Sequence, residues 1–258
     1  MLTLQNLNLD RGGRRVLEGI NASAAIGQLT ALLGPNGAGK SSLLAVAAGE
    51  LKPTAGSCTF LDLSIPDTPP QVLARRRAML PQQSPLDFDF TVLDVARMGA
   101  TPFPEIPGTE LDNLCTSILH LTDALPVAER RYPTLSGGER QRAQIARVLV
   151  QACAAAALGP SLLLLDEPAA SLDPRHQHLL LAGLRELCRS VPLAIVASVH
   201  DINLALDYAD TAWLLNEGRL VVAGPPAATL TADILSQVFQ LPVRMIEQHA
   251  AFTLPHRG

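Results

Sequence analysis

The chain of 258 residues is poor in aromatic residues, which make up 3% of it, and in charged residues, which make up 17%. The low charged fraction, together with 48% hydrophobic residues, excludes a disordered chain and indicates a well-filled core. A formal net charge of −4 is not the basic balance that nucleic-acid-binding proteins carry. We therefore expect a folded protein with no nucleic-acid partner.

Cysteines and long hydrophobic runs are also scarce. The four cysteines contain no Cys-x-x-Cys pair, so we expect buried free thiols rather than disulfides or metal ligands. The most apolar run, residues 152–165, is interrupted by Gly159 and Pro160 and is too short for a membrane span. No signal peptide is evident at the N-terminus. We expect a cytosolic chain without a transmembrane segment of its own.

Residues 34–42 match the pattern of a phosphate-binding loop, Gly-x-x-x-x-Gly-Lys-Ser. A buried strand is predicted over 30–33 and a helix over 42–48, which is the setting that this motif requires. Backbone N–H groups of the loop can surround phosphates, Lys40 can reach the terminal phosphates, and the Ser41 hydroxyl can bind Mg²⁺. A glycine turn without function is the alternative. The candidate nucleotide-binding residues are Gly34, Pro35, Asn36, Gly37, Ala38, Gly39, Lys40, Ser41 and Ser42.

A second candidate site follows the apolar strand predicted over 162–165. Asp166 can hold the water shell of the Mg²⁺ that Ser41 binds. Glu167 is placed to accept a proton from an attacking water and to orient it. Two solvated acids at the end of a strand are the alternative, and the phosphate loop in the same chain makes that alternative weaker.

Periodicity predicts the surrounding elements. Apolar residues near the N-terminus suggest an edge strand over 2–9 with one buried face, and residues 72–79 suggest a helix. A long helix is predicted over 139–157, a buried strand over 193–199, and a hairpin over 211–222. The three arginines at 75–77 suggest a solvated helix face, with contact to a partner or to anionic lipid as the lesser alternative.

The segment Leu135-Ser-Gly-Gly-Glu139 resembles the signature of ATP-binding cassette (ABC) ATPases. Gln82 matches the glutamine-loop residue of that family, residues 171–173 match the segment after the catalytic glutamate, and His200 matches the switch histidine. The resemblance covers nearly the whole chain. It implies a single domain over 1–258 with an α/β P-loop NTPase core and parallel sheet, an N-terminal antiparallel β subdomain, and a helical insertion at about 88–157.

The resemblance also implies ATP and Mg²⁺ as cofactors and assigns roles to further residues. Ser136, Gly137 and Gly138 would form a second phosphate cradle, which caps ATP held by the other subunit of a head-to-tail homodimer. Where many members place an aromatic residue against adenine, this chain has Arg11, which leaves base selectivity open. The implied catalytic residues are Glu167, His200, Lys40 and Gln82, the implied metal-binding residues are Ser41, Gln82 and Asp166, and Asp173 is a further nucleotide-binding residue.

As a member of this family, the chain would drive separate transmembrane permease subunits from the cytoplasmic side of the inner membrane, with a periplasmic substrate-binding protein acting indirectly. Residues 73–82, 88–92, 97–99 and 153–160 look closest to the ATPase subunits of haem (hemin) importers. The alternatives are an ATPase subunit of an iron-siderophore or cobalamin importer, or a non-transport ABC ATPase. The last class usually carries coiled coils or duplicated cassettes, and this sequence has neither.

Overall fold

The computed structural model describes residues 1–82 and 89–252. Its strands are β1 (Leu2–Arg11), β2 (Arg14–Ala24), β3 (Leu29–Leu33), β4 (Ala55–Phe60), β5 (Leu63–Ser64), β6 (Arg77–Leu80), β7 (Ser161–Leu165), β8 (Leu193–Ser198), β9 (Thr211–Asn216), β10 (Arg219–Gly224), β11 (Val243–Ile246) and β12 (His249–Phe252). Its α-helices are α1 (Lys40–Ala47), α2 (Pro70–Ala74), α3 (Val92–Arg97), α4 (Gly108–Leu121), α5 (Gly137–Leu158), α6 (Pro174–Ser190), α7 (Ile202–Tyr208), α8 (Pro226–Thr229) and α9 (Ala232–Phe239).

A six-stranded sheet in the order β10-β9-β3-β8-β7-β6 forms the centre of the protein. Its neighbouring strands run parallel except for β10, which pairs antiparallel with β9 as the predicted hairpin. Strand β7 is buried on both faces: Leu162 and Leu164 belong to one core cluster, and Leu163 and Leu165 to the other. Continuous apolar strands of this kind are typical of parallel sheets covered on both sides, and the prediction is confirmed.

A second sheet, with the order β2-β1-β4-β5, is antiparallel and comes from the N-terminal part of the chain. Leu2, Leu4, Leu7 and Leu9 of β1 are buried together with residues of α1 and of the six-stranded sheet. The predicted buried face is therefore confirmed. The prediction that β1 is an edge strand is wrong. Strand β4, which begins about fifty residues after β1, pairs with the edge of β1 opposite to β2.

Helices α3, α4 and α5 pack against one another and form the helical part of the molecule. Helix α5 includes the whole of the long helix predicted over 139–157, and it contributes many residues to the core on that side of the sheet. The described helices of this part run from Val92 to Leu158, close to the expected insertion at about 88–157. Phe88, where that insertion was expected to begin, lies outside the described residues.

The helix predicted over 72–79 is wrong in its second half. Helix α2 ends at Ala74, and residues 77–80 form β6, which pairs in parallel with β7. In β6 every second residue, Ala78 and Leu80, is buried, which is the two-residue period of a strand. A helix over the same residues would not bury them in this pattern. The expected solvated arginine face is also wrong. Arg77 is half-buried and donates to the carbonyl oxygen of Ala48, and Arg75 pairs with Glu105.

The cysteines are free, as the sequence predicts. Cys58, Cys115 and Cys188 are buried, and Cys153 is half-buried. Burial raises the pKa of the Cys58 thiol to about 12 and that of Cys115 to about 11. None of the helices within residues 1–82 and 89–252 has the length and apolar character that crossing a bilayer requires.

Candidate functional site

Residues 34–39 of the phosphate loop lie between the end of β3 and the start of α1, and Lys40, Ser41 and Ser42 form the first turn of α1. Gly34 has φ +145°, and a Cβ built on it would overlap the carbonyl oxygen of Leu215 on β9. Only glycine therefore fits between the loop and the sheet at this point. The side chain of Lys40 turns back over the loop, and its Nζ donates to the carbonyl oxygens of Gly34 at 2.7 Å and Pro35 at 3.0 Å.

Lys40 is buried, with 6% of its surface exposed. Burial lowers the pKa of its ammonium group, because removing a charge from water is unfavourable, and the nearby carboxylates of Glu167 and Asp166 oppose that shift. A cation held in this way, beside a glycine-rich loop and a helix N-terminus, is suited to binding an anion.

The two candidate acids follow β7 at the carboxyl edge of the six-stranded sheet. Strands β6, β7 and β8 are parallel neighbours, so the residues that follow them meet at one edge. Glu167 accepts a hydrogen bond at Oε2 from Nε2 of Gln82, at 3.2 Å. Its Oε1 lies 2.8 Å from Nε2 of His200. Gln82 and His200, predicted separately from the sequence, therefore both contact the carboxylate of Glu167.

Ser198, the last residue of β8, contacts both of these acids, and the sequence did not identify it as a site residue. Its Oγ donates to Oδ1 of Asp166 at 2.7 Å and accepts from the backbone N–H of Glu167 at 2.7 Å. The signal that could have identified it is a single hydroxyl residue at the end of an otherwise apolar strand.

An open cavity of about 420 Å³ lies in front of the phosphate loop. Its lining includes Asn36, Gly37, Gly39, Lys40, Ser41, Ser42, Gln82, Glu167, His200 and Val16. Val16 is a second residue that the sequence did not single out. A neighbouring cavity of about 350 Å³ is lined in part by Pro35 and Ala38. The structure thus brings the phosphate loop and the four side chains predicted to be catalytic around one space: Glu167, His200, Lys40 and Gln82.

The residues predicted to bind Mg²⁺ also share a cavity. Ser41, Gln82 and Asp166 line a space of about 560 Å³, next to the first. A hydroxyl, an amide oxygen and a carboxylate form the oxygen-rich donor set that Mg²⁺ prefers. The residues therefore fit this ion. Arg11 lines this cavity of about 560 Å³, whereas Val16 lines the one of about 420 Å³.

Ser136 lies at the N-terminus of α5 and is exposed, as is Gly137. Ser136 and Glu139 form a capping box: Oγ of Ser136 accepts from the Glu139 N–H, and Oε2 of Glu139 accepts from the Ser136 N–H. The second hydrogen bond lowers the pKa of Glu139. In the described part of the chain, Ser136, Gly137 and Gly138 line none of the three cavities above.

Asp173 caps helix α6 and also lies away from these cavities. Its carboxylate accepts from the backbone N–H of His176 at 3.0 Å, and this hydrogen bond lowers the pKa of Asp173. The His176 ring lies between Asp173 and Asp123, at 2.6 and 3.0 Å. The described residues contain no group of three or more His, Cys, Asp or Glu side chains arranged to hold a metal ion.

Known proteins resemble this chain in sequence and in fold. The family model described as ABC transporter matches residues 17–170. The chain is 46% identical to the hemin import ATP-binding protein HmuV of Bordetella pertussis, with 99% of this chain and 98% of that protein covered. It is 43% identical to the protein of the same name from Gloeobacter violaceus, with 93% and 88% covered.

Among solved structures, the fold matches that of CbiO1 from Clostridium perfringens, described as part of the ABC transporter complex CbiONQ. The TM-score is 0.76 and the identity is 28%, with 92% of each chain covered.

Proposed function

The chain belongs to the ABC transporter family, and we propose that it is the ATP-hydrolysing subunit of an importer of haem. The observation that carries the proposal is the convergence of Gln82, Glu167 and His200 on the cavity in front of the phosphate loop. Similarity to hemin import ATP-binding proteins over almost the full length supports haem as the cargo.

In the proposed reaction, the loop residues 34–42 bind the phosphates of ATP through backbone N–H groups, and Lys40 balances the charge of the terminal phosphates. Glu167 orients the attacking water and accepts its proton. His200 holds the Glu167 carboxylate and can also contact the terminal phosphate. Gln82 hydrogen-bonds the same carboxylate and links this site to the segment after β6.

Mg²⁺ would be held by Ser41, Gln82 and Asp166, and when bound it neutralises charge on the phosphates. Asp166 is well suited to this role because it is buried, with 3% of its surface exposed, and its Oδ1 is already fixed by Ser198. Its carboxylate therefore has one orientation available for an ion or its water shell.

We also propose that two copies of the chain form a head-to-tail homodimer. The exposed Ser136 and Gly137 and the half-buried Gly138 lie at the N-terminus of α5, where a phosphate group binds favourably. They line none of the described cavities around the phosphate loop of their own chain. A second copy would bring them against that loop, and Asp173 would lie close to the same interface.

The partners of this dimer would be transmembrane permease subunits, with a periplasmic substrate-binding protein delivering the cargo. The chain would then be a peripheral protein on the cytoplasmic side of the inner membrane. Gln82 and the helices α3 and α4 are proposed to contact the permease, because Gln82 touches the catalytic carboxylate and could transmit its position. Haem itself would pass through the permease.

The proposal is tested with the purified chain reconstituted in proteoliposomes with its cognate permease, with and without haem-loaded binding protein. We expect haem uptake that requires ATP, and ATP hydrolysis that rises when haem is delivered. Glu167→Gln should abolish both, whereas Glu186→Gln, a matched change of an exposed glutamate on α6, should leave both unchanged.

The cargo is identified by repeating the assay with a ferric siderophore or cobalamin in place of haem. Stimulation by one of these, with no response to haem, would overturn haem and retain an importer. Co-purification with nucleic acid or ribosomes, with no permease complex, would overturn transport and favour a non-transport ABC ATPase.

A further inference from the structure

Ser198 occupies a position between the two acids that the proposed reaction uses. It is buried, with 1% of its surface exposed, and its hydroxyl makes two hydrogen bonds of 2.7 Å, to Oδ1 of Asp166 and from the N–H of Glu167. A hydroxyl has one proton to donate and can accept at the same time. The donor and acceptor roles are therefore both in use.

The contact follows from the register of two strands. Leu165 of β7 lies beside Ala197 of β8, so the next residues on each strand, Asp166 and Ser198, are neighbours at the edge of the sheet. Residues 193–197 are all apolar, and an apolar residue at 198 would leave the Glu167 N–H without this acceptor. A serine at this position therefore has a specific polar partner on each side.

The hydrogen bond to Glu167 coincides with an unusual backbone conformation. Glu167 has φ +51°, in the left-handed region that residues other than glycine seldom adopt. Its carboxylate nevertheless reaches both His200 and Gln82. The hydrogen bond from the Glu167 N–H to Ser198 keeps the Glu167 backbone in the conformation that directs its carboxylate into the cavity.

We propose that Ser198 is a positioning residue for ATP hydrolysis, which sets the backbone of Glu167 and the carboxylate plane of Asp166 through one hydroxyl group. This inference rests on the proposed function, because it assigns Ser198 a part in the same reaction. Ser198 does not line the cavity and is not expected to touch ATP. It acts through the two acids.

The test compares Ser198→Ala with Ser198→Thr, which keeps the hydroxyl, and with Ser190→Ala, which removes an exposed hydroxyl at the end of α6. We expect Ser198→Ala to lower kcat for ATP by about 10- to 100-fold while KM and the affinity for a fluorescent ATP analogue change by less than about 3-fold. Ser198→Thr should recover most of the rate, and Ser190→Ala should match the wild type.

A crystal structure of Ser198→Ala gives a second readout that does not depend on activity. We expect Glu167 to leave the left-handed conformation and its carboxylate to move away from His200. An unchanged kcat, or an unchanged Glu167 backbone, would overturn the proposal. Equal losses in Ser198→Ala and Ser198→Thr, in step with a lower thermal midpoint, would assign Ser198 a packing role and also overturn it.

The two proposals can fail separately. If the wild-type chain hydrolyses ATP and Ser198→Ala is equally fast, only the positioning role is lost. If the wild-type chain shows no ATPase activity, the proposed function fails, and the crystal structure of Ser198→Ala still decides whether Ser198 sets the Glu167 backbone.

Discussion

Oε1 of Glu167 lies 2.8 Å from Nε2 of His200, although the two residues follow different strands and are separated by a whole helix and strand in sequence. The same carboxylate accepts a hydrogen bond from Gln82 at its other oxygen. The carboxylate is therefore held from both sides, and both contacts must break for it to reorient.

Lys40→Ala should lower kcat/KM for ATP by about 100- to 1,000-fold, because the main positive charge near the terminal phosphates is removed. Lys52 is the only other lysine in the sequence, and it is exposed, with a weak ion pair to Asp67. Lys52→Ala is thus a matched control that should keep wild-type activity. Steady-state ATPase assays check both variants. Normal turnover in Lys40→Ala would contradict the assignment of the phosphate loop.

Glu167→Gln should lower kcat by at least about 100-fold, because the amide keeps the shape of the side chain and cannot accept the proton. ATP should still bind, so the variant should accumulate as a dimer with ATP and Mg²⁺ on size-exclusion chromatography. A variant that remains monomeric with ATP and turns it over at the normal rate would rule out the role of Glu167.

Adding Ser136→Asp to Glu167→Gln should abolish the ATP-dependent dimer. Aspartate still caps α5, and its charge repels a phosphate group that approaches from a second copy. Ser136→Asn keeps the cap without the charge and serves as the control. If the Ser136→Asp combination forms the dimer as readily as the Ser136→Asn combination, Ser136 does not face the phosphates of a partner.

Gly99→Ala should destabilise the fold by about 1–3 kcal/mol, because a Cβ there would overlap the carbonyl oxygen of Arg147 on α5. Gly108, at the start of α4, has open space where its Cβ would lie, so Gly108→Ala should be about 0.4–1 kcal/mol more stable than the wild type. Chemical denaturation measures both. Equal stability of the two variants would show that α5 does not pack closely on residue 99.

The cysteines give a pH-dependent prediction. Burial raises the pKa of Cys58 and Cys153 to about 12 and that of Cys115 and Cys188 to about 11. The folded state therefore keeps protons that the unfolded state releases above its thiol pKa of about 9, so the free energy of unfolding should fall as the pH rises through 9.

The same thiols should react slowly with a disulfide reagent at pH 8 in the folded protein, and all four should react at once in denaturant. Rapid labelling of all four without denaturant would contradict their burial.

Much of the fold and of the site could be predicted from the sequence, because the signals are local. The phosphate loop, the apolar strand before Asp166, the long helix α5, and the hairpin around Glu217 each depend on residues close together in the chain. Spacing and residue type determine such elements. The ABC resemblance rests on the same local motifs taken in order, and the comparisons confirm it.

Tertiary structure alone decided which of these elements meet. Residues 77–80 became a strand because the edge of β7 was available for pairing, and β1 became an inner strand because β4 arrived from a distant part of the chain. Ser198 acquired its two partners because the register between β7 and β8 places it beside Asp166. Strand register and edge pairing depend on contacts between residues far apart in sequence, and local patterns carry little information about such contacts.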